Sequence, residues 1–95
     1  MTDDEFVKKN DNAQRFEIVT DRAVATLTYH EGQQHITLIH TDVPPDLSGK
    51  GYGTALVRAA LEYAREHDLR VVPHCPFVRA YIESHPEYAE LTRAR

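Results

Sequence analysis

Cysteine is almost missing from this chain. Cys75 stands alone among 95 residues, so no internal disulfide can form and the fold does not depend on an oxidising compartment. Long apolar runs are missing too. None approaches the ~18 residues that a membrane helix needs, so no membrane partner is expected. Clustered basic charge is lacking: 11 Lys and Arg stand against 15 Asp and Glu, a net charge of -4. That argues against nucleic acid, whose binding rests on phosphate neutralisation by grouped cations. The start, Met1-Thr2-Asp3-Asp4-Glu5, is acidic and has no signal-peptide pattern. A cytoplasmic protein, monomer or weak dimer, is the expectation. Six histidines are present, yet none pairs with a second His or Cys at ligand spacing, and the adjacent His74 and Cys75 diverge in most backbones. No metal site is expected. Two phosphate motifs are absent as well. A P-loop needs Ser or Thr after Gly-Lys, where this chain has Gly51. A dinucleotide fingerprint needs a further glycine where Leu56 or Thr54 stands.

What remains is ordinary for a soluble globular domain: 41% apolar and 27% charged residues. Residues 1–14 are polar and without period. They read as a flexible leader, with a short lead-in strand or turn as the alternative. Arg15 to Val19 reads as a strand. Ala23 to His30 alternates, with Val24, Thr26 and Thr28 on one side and Ala25, Leu27 and Tyr29 on the other. Gln34 to Thr41 is a third strand, Ile36 and Leu38 facing one way, Thr37 and Ile39 the other. Continuing that alternation places His40 with Leu38 and Thr41 opposite. Turn signals at Asp21 and at Glu31-Gly32 make the three an antiparallel meander. Pro44-Pro45 ends regular pairing. The third strand is expected to bend away from its neighbour near Asp42 to Pro44, leaving a gap that suits a ligand.

An amphipathic helix follows from about Tyr52 to His67, with Tyr52, Ala55, Leu56, Ala59, Ala60, Tyr63 and Ala64 on its apolar stripe. Leu69 to Val72 is a strand, parallel to the third through a right-handed crossover. Pro76 places Cys75 at the cap of a second helix, whose inward stripe is expected to be Phe77, Ala80, Tyr81 and Ser84. His85-Pro86 ends it, and Tyr88 and Leu91 fold back onto the core. The order β-β-β-α-β-α predicts an α+β fold: a mixed sheet, antiparallel meander plus one parallel strand, with helices packed on it. The domain is expected to cover 15–91.

The chemistry gathers between Val43 and Thr54. Gly49, Gly51 and Gly53 alternate around Lys50 where a strand gives way to a helix. Glycine reaches positive φ at little cost and lets a ligand approach the backbone. The first N–H groups of a helix lack partners and lie at the positive end of its dipole, an arrangement that favours phosphate. The run Ser48-Gly49-Lys50-Gly51-Tyr52-Gly53 resembles the acyl-CoA signature [Q/R]-x-x-G-x-[G/A] of the GNAT (GCN5-related) N-acetyltransferase superfamily. Val43-Pro44-Pro45, His40-Thr41, Cys75-Pro76-Phe77 and His85-Pro86-Glu87-Tyr88 extend the likeness to the very short members of that family, over about residues 15–91. Ser48 departs from the pattern's Gln or Arg, and Lys50 is the cation that could compensate.

The resemblance implies an acetyl-CoA-dependent N-acetyltransferase, with acetyl-CoA or CoA as co-substrate and no metal. The acceptor would be a primary amine on a small molecule or peptide, reached through a ternary complex or a transient acyl-cysteine. Ser48, Gly49, Lys50, Gly51, Tyr52, Gly53 and Thr54 would hold the diphosphate, and the backbone around Thr41, Asp42 and Val43 the pantetheine and thioester. Three residues are candidates for the chemistry. His40 sits on the strand before the bend, and an ordinary imidazole, of pKa about 6.5, takes a proton near neutral pH; otherwise it is a hydrogen-bonded histidine at a sheet edge. Cys75 at a helix N-terminus has a setting that lowers a thiol pKa; otherwise it is an apolar filler. Tyr81 matches a tyrosine that protonates the thiolate in many such enzymes; otherwise it is core. Two alternatives remain: a CoA-binding module without catalysis, and an interaction domain whose glycine turn is purely structural.

Overall fold

The structure, a computed structural model, describes residues 7–93. Alternation dictates the sheet. The strands β1 (Lys8–Asn10), β2 (Arg15–Val19), β3 (Val24–Glu31) and β4 (His35–Asp42) run antiparallel, each beside the next. The helix α1 (Tyr52–Glu66) crosses over to β5 (Arg70–Pro73), which pairs parallel to β4 from His35↔Arg70 to Leu38↔Pro73. The helix α2 (Pro76–Ser84) and a 3-10 segment, Pro86–Thr92, complete the chain. The result is one five-stranded mixed sheet in the order β1-β2-β3-β4-β5, an α+β fold.

The core is one face of that sheet under the helices. Phe16, Ile18, Ala25, Leu27, Tyr29, Ile36, Leu38 and Val71 are buried there, the side that period-two alternation selects. The opposite face carries Glu17, Thr26, Thr28, Thr37 and Val72, none of them buried. On α1 the buried band is displaced around the helix from the expected stripe. It adds Gly53, Val57 and Leu61, and leaves Tyr52, Ala59 and Tyr63 half-buried. The helix is covered on its flank by α2 and the 3-10 segment as well as by the sheet, so a second row of side chains is shielded from water. Tyr88 and Leu91 are buried as expected.

Three expectations are corrected. The leader read over 1–14 ends in a strand: β1 pairs Lys8, Lys9 and Asn10 with Glu17, Phe16 and Arg15. Residues 1–6 of that leader lie outside the described residues. One lysine gives the strand its anchor. The Lys9 ammonium contacts Asp11, lies 3.1 Å from Glu31 Oε1, and sits over the Tyr29 and Tyr63 rings at 4.9 and 4.5 Å. Burial lowers its proton affinity, but Asp11, Tyr29, Glu31 and Tyr63 outweigh that and hold the ammonium above its ordinary pKa. No apolar period announces such an anchor.

The second correction concerns α2. Val78 and Ile82 face the core, while Phe77 is 45% exposed and Ala80 and Ser84 lie in water. The helix is phased by Cys75, which is nearly buried and tied by its N–H to the Leu38 carbonyl at 3.0 Å. Cys75, Val78 and Ile82 then fall on one side at helical spacing.

The third lies in β4. Tyr29 pairs with Leu38, but Thr28 pairs with His40, so Ile39 is an extra residue on β4. This β-bulge reverses the alternation beyond it. His40 is exposed on the uncovered face, and Thr41 takes its place on the core side.

Candidate functional site

The bulge lies where two strands part. Pairing between β4 and β5 stops at Leu38↔Pro73, although β4 continues to Asp42 beside β3. The Leu38 carbonyl closes the ladder by accepting from the N–H of His74 and of Cys75, each at 3.0 Å. Past that point β5 turns into α2. The flank of Ile39 to Asp42 therefore has no strand against it among the described residues. The strands do part, but β4 from β5, and earlier than the bend expected near Asp42 to Pro44; this parting is the candidate slot. The prolines instead begin a 3-10 turn, Pro45–Leu47, that carries the chain to the glycines.

Glycine is required at two of those positions. Gly49 and Gly51 have φ of +78° and +80°, and nothing lies within 4 Å of where a Cβ would stand on either. The turn is thus open on that side rather than filled by side chains. Gly51 is the N-cap of α1 and has no side chain to satisfy the first turn. The first bond into the helix is Ala55 N–H to Gly51 O, at 3.0 Å. The amides of Tyr52, Gly53 and Thr54 precede it, the positions that lack a partner within a helix. Lys50 is exposed beside them. This is a fit for a diphosphate: open backbone, first-turn donors and one cation. Ser48 contributes less, because its hydroxyl donates to the Pro45 carbonyl at 3.0 Å.

At the upper end of the slot, Thr41 and Cys75 meet. The Thr41 hydroxyl lies 3.4 Å from Cys75 Sγ. Burial pushes the thiol pKa up. Hydrogen bonds from the Thr41 hydroxyl and from the N–H groups of Val78, Phe77 and Thr41 more than offset this, and hold the thiol below its ordinary value. A thiolate here would be held by the first turn of α2, the setting in which cysteine gains nucleophilic character. Sequence reasoning paired Cys75 with the helix end but missed the Thr41 hydroxyl, because the bulge that turns it inward has no sequence signature.

The other candidates lie elsewhere. His40 is beside the slot but faces the opposite side of the sheet from Thr41. Tyr81 is half-buried in the later turns of α2. Its ring stacks on His85, with centroids 3.9 Å apart, and lies 6.1 Å from the Tyr88 ring. These contacts direct it toward the 3-10 segment. A cavity of about 370 Å³ is lined by Asp11, Gln14, Tyr29, Glu31, Gly32 and Gln33. It adjoins the Lys9 anchor at the far end of β4, and its carboxylates are engaged there. Among the described residues no group of three or more His, Cys, Asp or Glu is placed to hold a metal ion. No helix among them is long and apolar enough to cross a membrane.

Comparison with known proteins agrees with this geometry. Residues 15–91 match the model of a GCN5-related N-acetyltransferase family. Protein NATD1 of Xenopus tropicalis is 33% identical over 66 residues, which are 70% of this chain and 60% of that protein. Protein NATD1 of Gallus gallus is 35% identical over 66 residues, 70% of this chain and 59% of that protein. The matched stretch thus spans about six tenths of the length of these curated relatives. A GCN5-like protein from Staphylococcus aureus, solved by NMR, superposes with a TM-score of 0.70 at 31% identity, covering 90% of this chain and 84% of that one.

Proposed function

Because the chain belongs to the GCN5-related N-acetyltransferase family, we propose that it transfers the acetyl group of acetyl-CoA to a primary amine. One observation carries this reading: β4 and β5 part at Leu38 and Pro73, beside an open glycine junction and a thiol held at a helix start. A blocked junction or a closed ladder would have removed it.

The reaction forms a C–N bond at the acyl carbon and breaks the C–S bond. The amine must lose a proton and the departing sulfur must gain one. Acetyl-CoA supplies the activated acyl group. On this reading the amides of Lys50 to Thr54 bind the diphosphate, and the open flank of β4 from Ile39 to Val43 binds the amides of the pantetheine arm as an added strand would. A backbone N–H near Val43 stabilises the developing oxyanion; one such donor is worth about 3–4 kcal/mol. His40 faces the uncovered side, so it serves an amine that arrives from there, taking its proton. Cys75 lines the acyl end with its thiol held acidic by Thr41, and it can either carry the acyl group briefly or polarise its surroundings. Tyr81 would need to reach the slot from its stack with His85 to act as an acid, so the geometry favours Cys75 and His40 over it.

The test has two parts. Native mass spectrometry of the purified protein should show co-purified CoA. Acetyl-CoA with a panel of small amines, polyamines and peptides should release CoA over repeated turnovers only when an amine is present; at most one equivalent per chain is released without it. CoA binding with no turnover on any amine would leave a binding module. No CoA binding would leave an interaction domain.

A further inference from the structure

Among the described residues, Phe77 is one of three large apolar side chains left exposed, at 45%. It stands in the first turn of α2, beside Cys75. Its ring reaches across to α1. A Cβ placed on Gly53 would meet Phe77 Cζ at 3.1 Å, Phe77 Cε2 at 3.2 Å and Val43 Cγ2 at 3.5 Å. Gly53 has no positive φ, unlike Gly49 and Gly51. Its lack of a side chain therefore answers to packing alone: the ring fills the space a methyl would take. The family pattern accepts alanine at this position, whereas in this chain an alanine methyl would press on the ring and displace it by a few tenths of an ångström.

The ring thus joins the start of α2 to the start of α1, with Val43, just past the end of β4, beside the same point. One side packs on Gly53. The rest remains in water at the place where the diphosphate junction gives way to the slot. A half-exposed aromatic ring there offers an apolar wall that a ligand's arm would cover. We propose that Gly53 and Phe77 act as a pair, Gly53 seating the ring and the ring serving as the positioning wall for the pantetheine arm. On this view the third glycine's missing side chain serves the thioester arm, while its amide stays among the first-turn donors. The proposal rests on the CoA reading above and assigns a residue to it.

Two ligands separate the parts. CoA carries the arm; adenosine 3′,5′-bisphosphate keeps the nucleotide and lacks the arm. Binding is followed by calorimetry and by NMR, with thermal unfolding as the folding control. Phe77→Ala should weaken CoA by about tenfold, the size of one uncovered aromatic contact, and leave the bisphosphate unchanged. Phe77→Leu, which keeps the site filled should the alanine variant fail to fold, should weaken CoA by a smaller factor. Gly53→Ala should weaken CoA, and Phe77→Leu in the same chain should recover part of that loss, since the two changes share one contact. The Phe77 ring signals should move with CoA and stay still with the bisphosphate. Equal loss of both ligands, or no loss of either, overturns the pair while leaving the CoA reading intact. A wild-type protein that binds neither ligand overturns the reading and the proposal together.

Discussion

At Cys75 the acidity of the thiol turns on one neighbouring hydroxyl and three amides. Only the hydroxyl can be removed without touching the backbone. Thr41→Val keeps the shape and deletes the donor, so the thiol pKa should rise. The inflection in the pH profile of alkylation by iodoacetamide should move to higher pH, with the unfolding temperature little changed. Cys75→Ala should slow acetyl transfer more than it weakens CoA binding, measured as a fall in kcat at nearly constant Kd; an unaltered kcat would reduce Cys75 to filler. Lys9 is a second residue with a measurable signature. Its ammonium is held above its ordinary pKa and the Asp11 carboxyl below its own, the latter by the Lys9 hydrogen bond first and Tyr29 second. A raised Lys contributes stability that is complete below its unfolded value and lost as pH rises through the folded one. A lowered Asp contributes stability that is present above its unfolded value and lost as pH falls through the folded one. Both therefore act at neutral pH, and acid removes the Asp11 share below about pH 4. Lys9→Met should lower the unfolding temperature at pH 7 and reduce its dependence on pH between neutrality and pH 3.

Among the elements, the glycine junction and the bulged strand are the two that shape the site. Gly51 caps α1 at φ +80°, a conformation that costs a residue with a Cβ about 1–2 kcal/mol. Gly51→Val should lower stability by about that amount, leave a folded domain, and abolish CoA binding as measured by calorimetry. Unchanged affinity would mean that the phosphate sits elsewhere. This junction was legible in the sequence, since alternating glycines between a proline-ended strand and an apolar stripe mark a strand-to-helix turn. The meander, the crossover helix and the parallel fifth strand were legible for the same reason: each follows from period and turn chemistry. The bulge was not. Ile39 and His40 continue the residue pattern of β4 without a break, and only pairing to β3 shows that one of them is surplus. Deleting Ile39 should remove the surplus residue and leave Thr41 opposite Leu27, on the core side. The alkylation profile of Cys75 should then stay near that of the parent chain, whereas Thr41→Val shifts it; a shift on deletion as well would mean that the bulge itself sets the contact. The phase of α2 was missed for a related reason. Phe77 outranks Val78 in apolar size, but the bond from Cys75 to Leu38 decides which side turns inward.

For the molecule as a whole, helices cover one face of the sheet and none of the named side chains on the other is buried. The charge balance of -4 is small enough that neither ligand nor acceptor would be drawn in strongly over distance. Binding to the slot should therefore depend only weakly on salt beyond the phosphate contacts themselves. The bare face also bears on how an acceptor would be chosen. Among the described residues no helix lies over that face, so an amine entering past His40 would cross an open floor of strand side chains. Such a floor imposes no ceiling on bulk, so a long chain or a large partner would reach the slot as readily as a small amine, and selection would fall to the nitrogen's protonation state and its immediate neighbours.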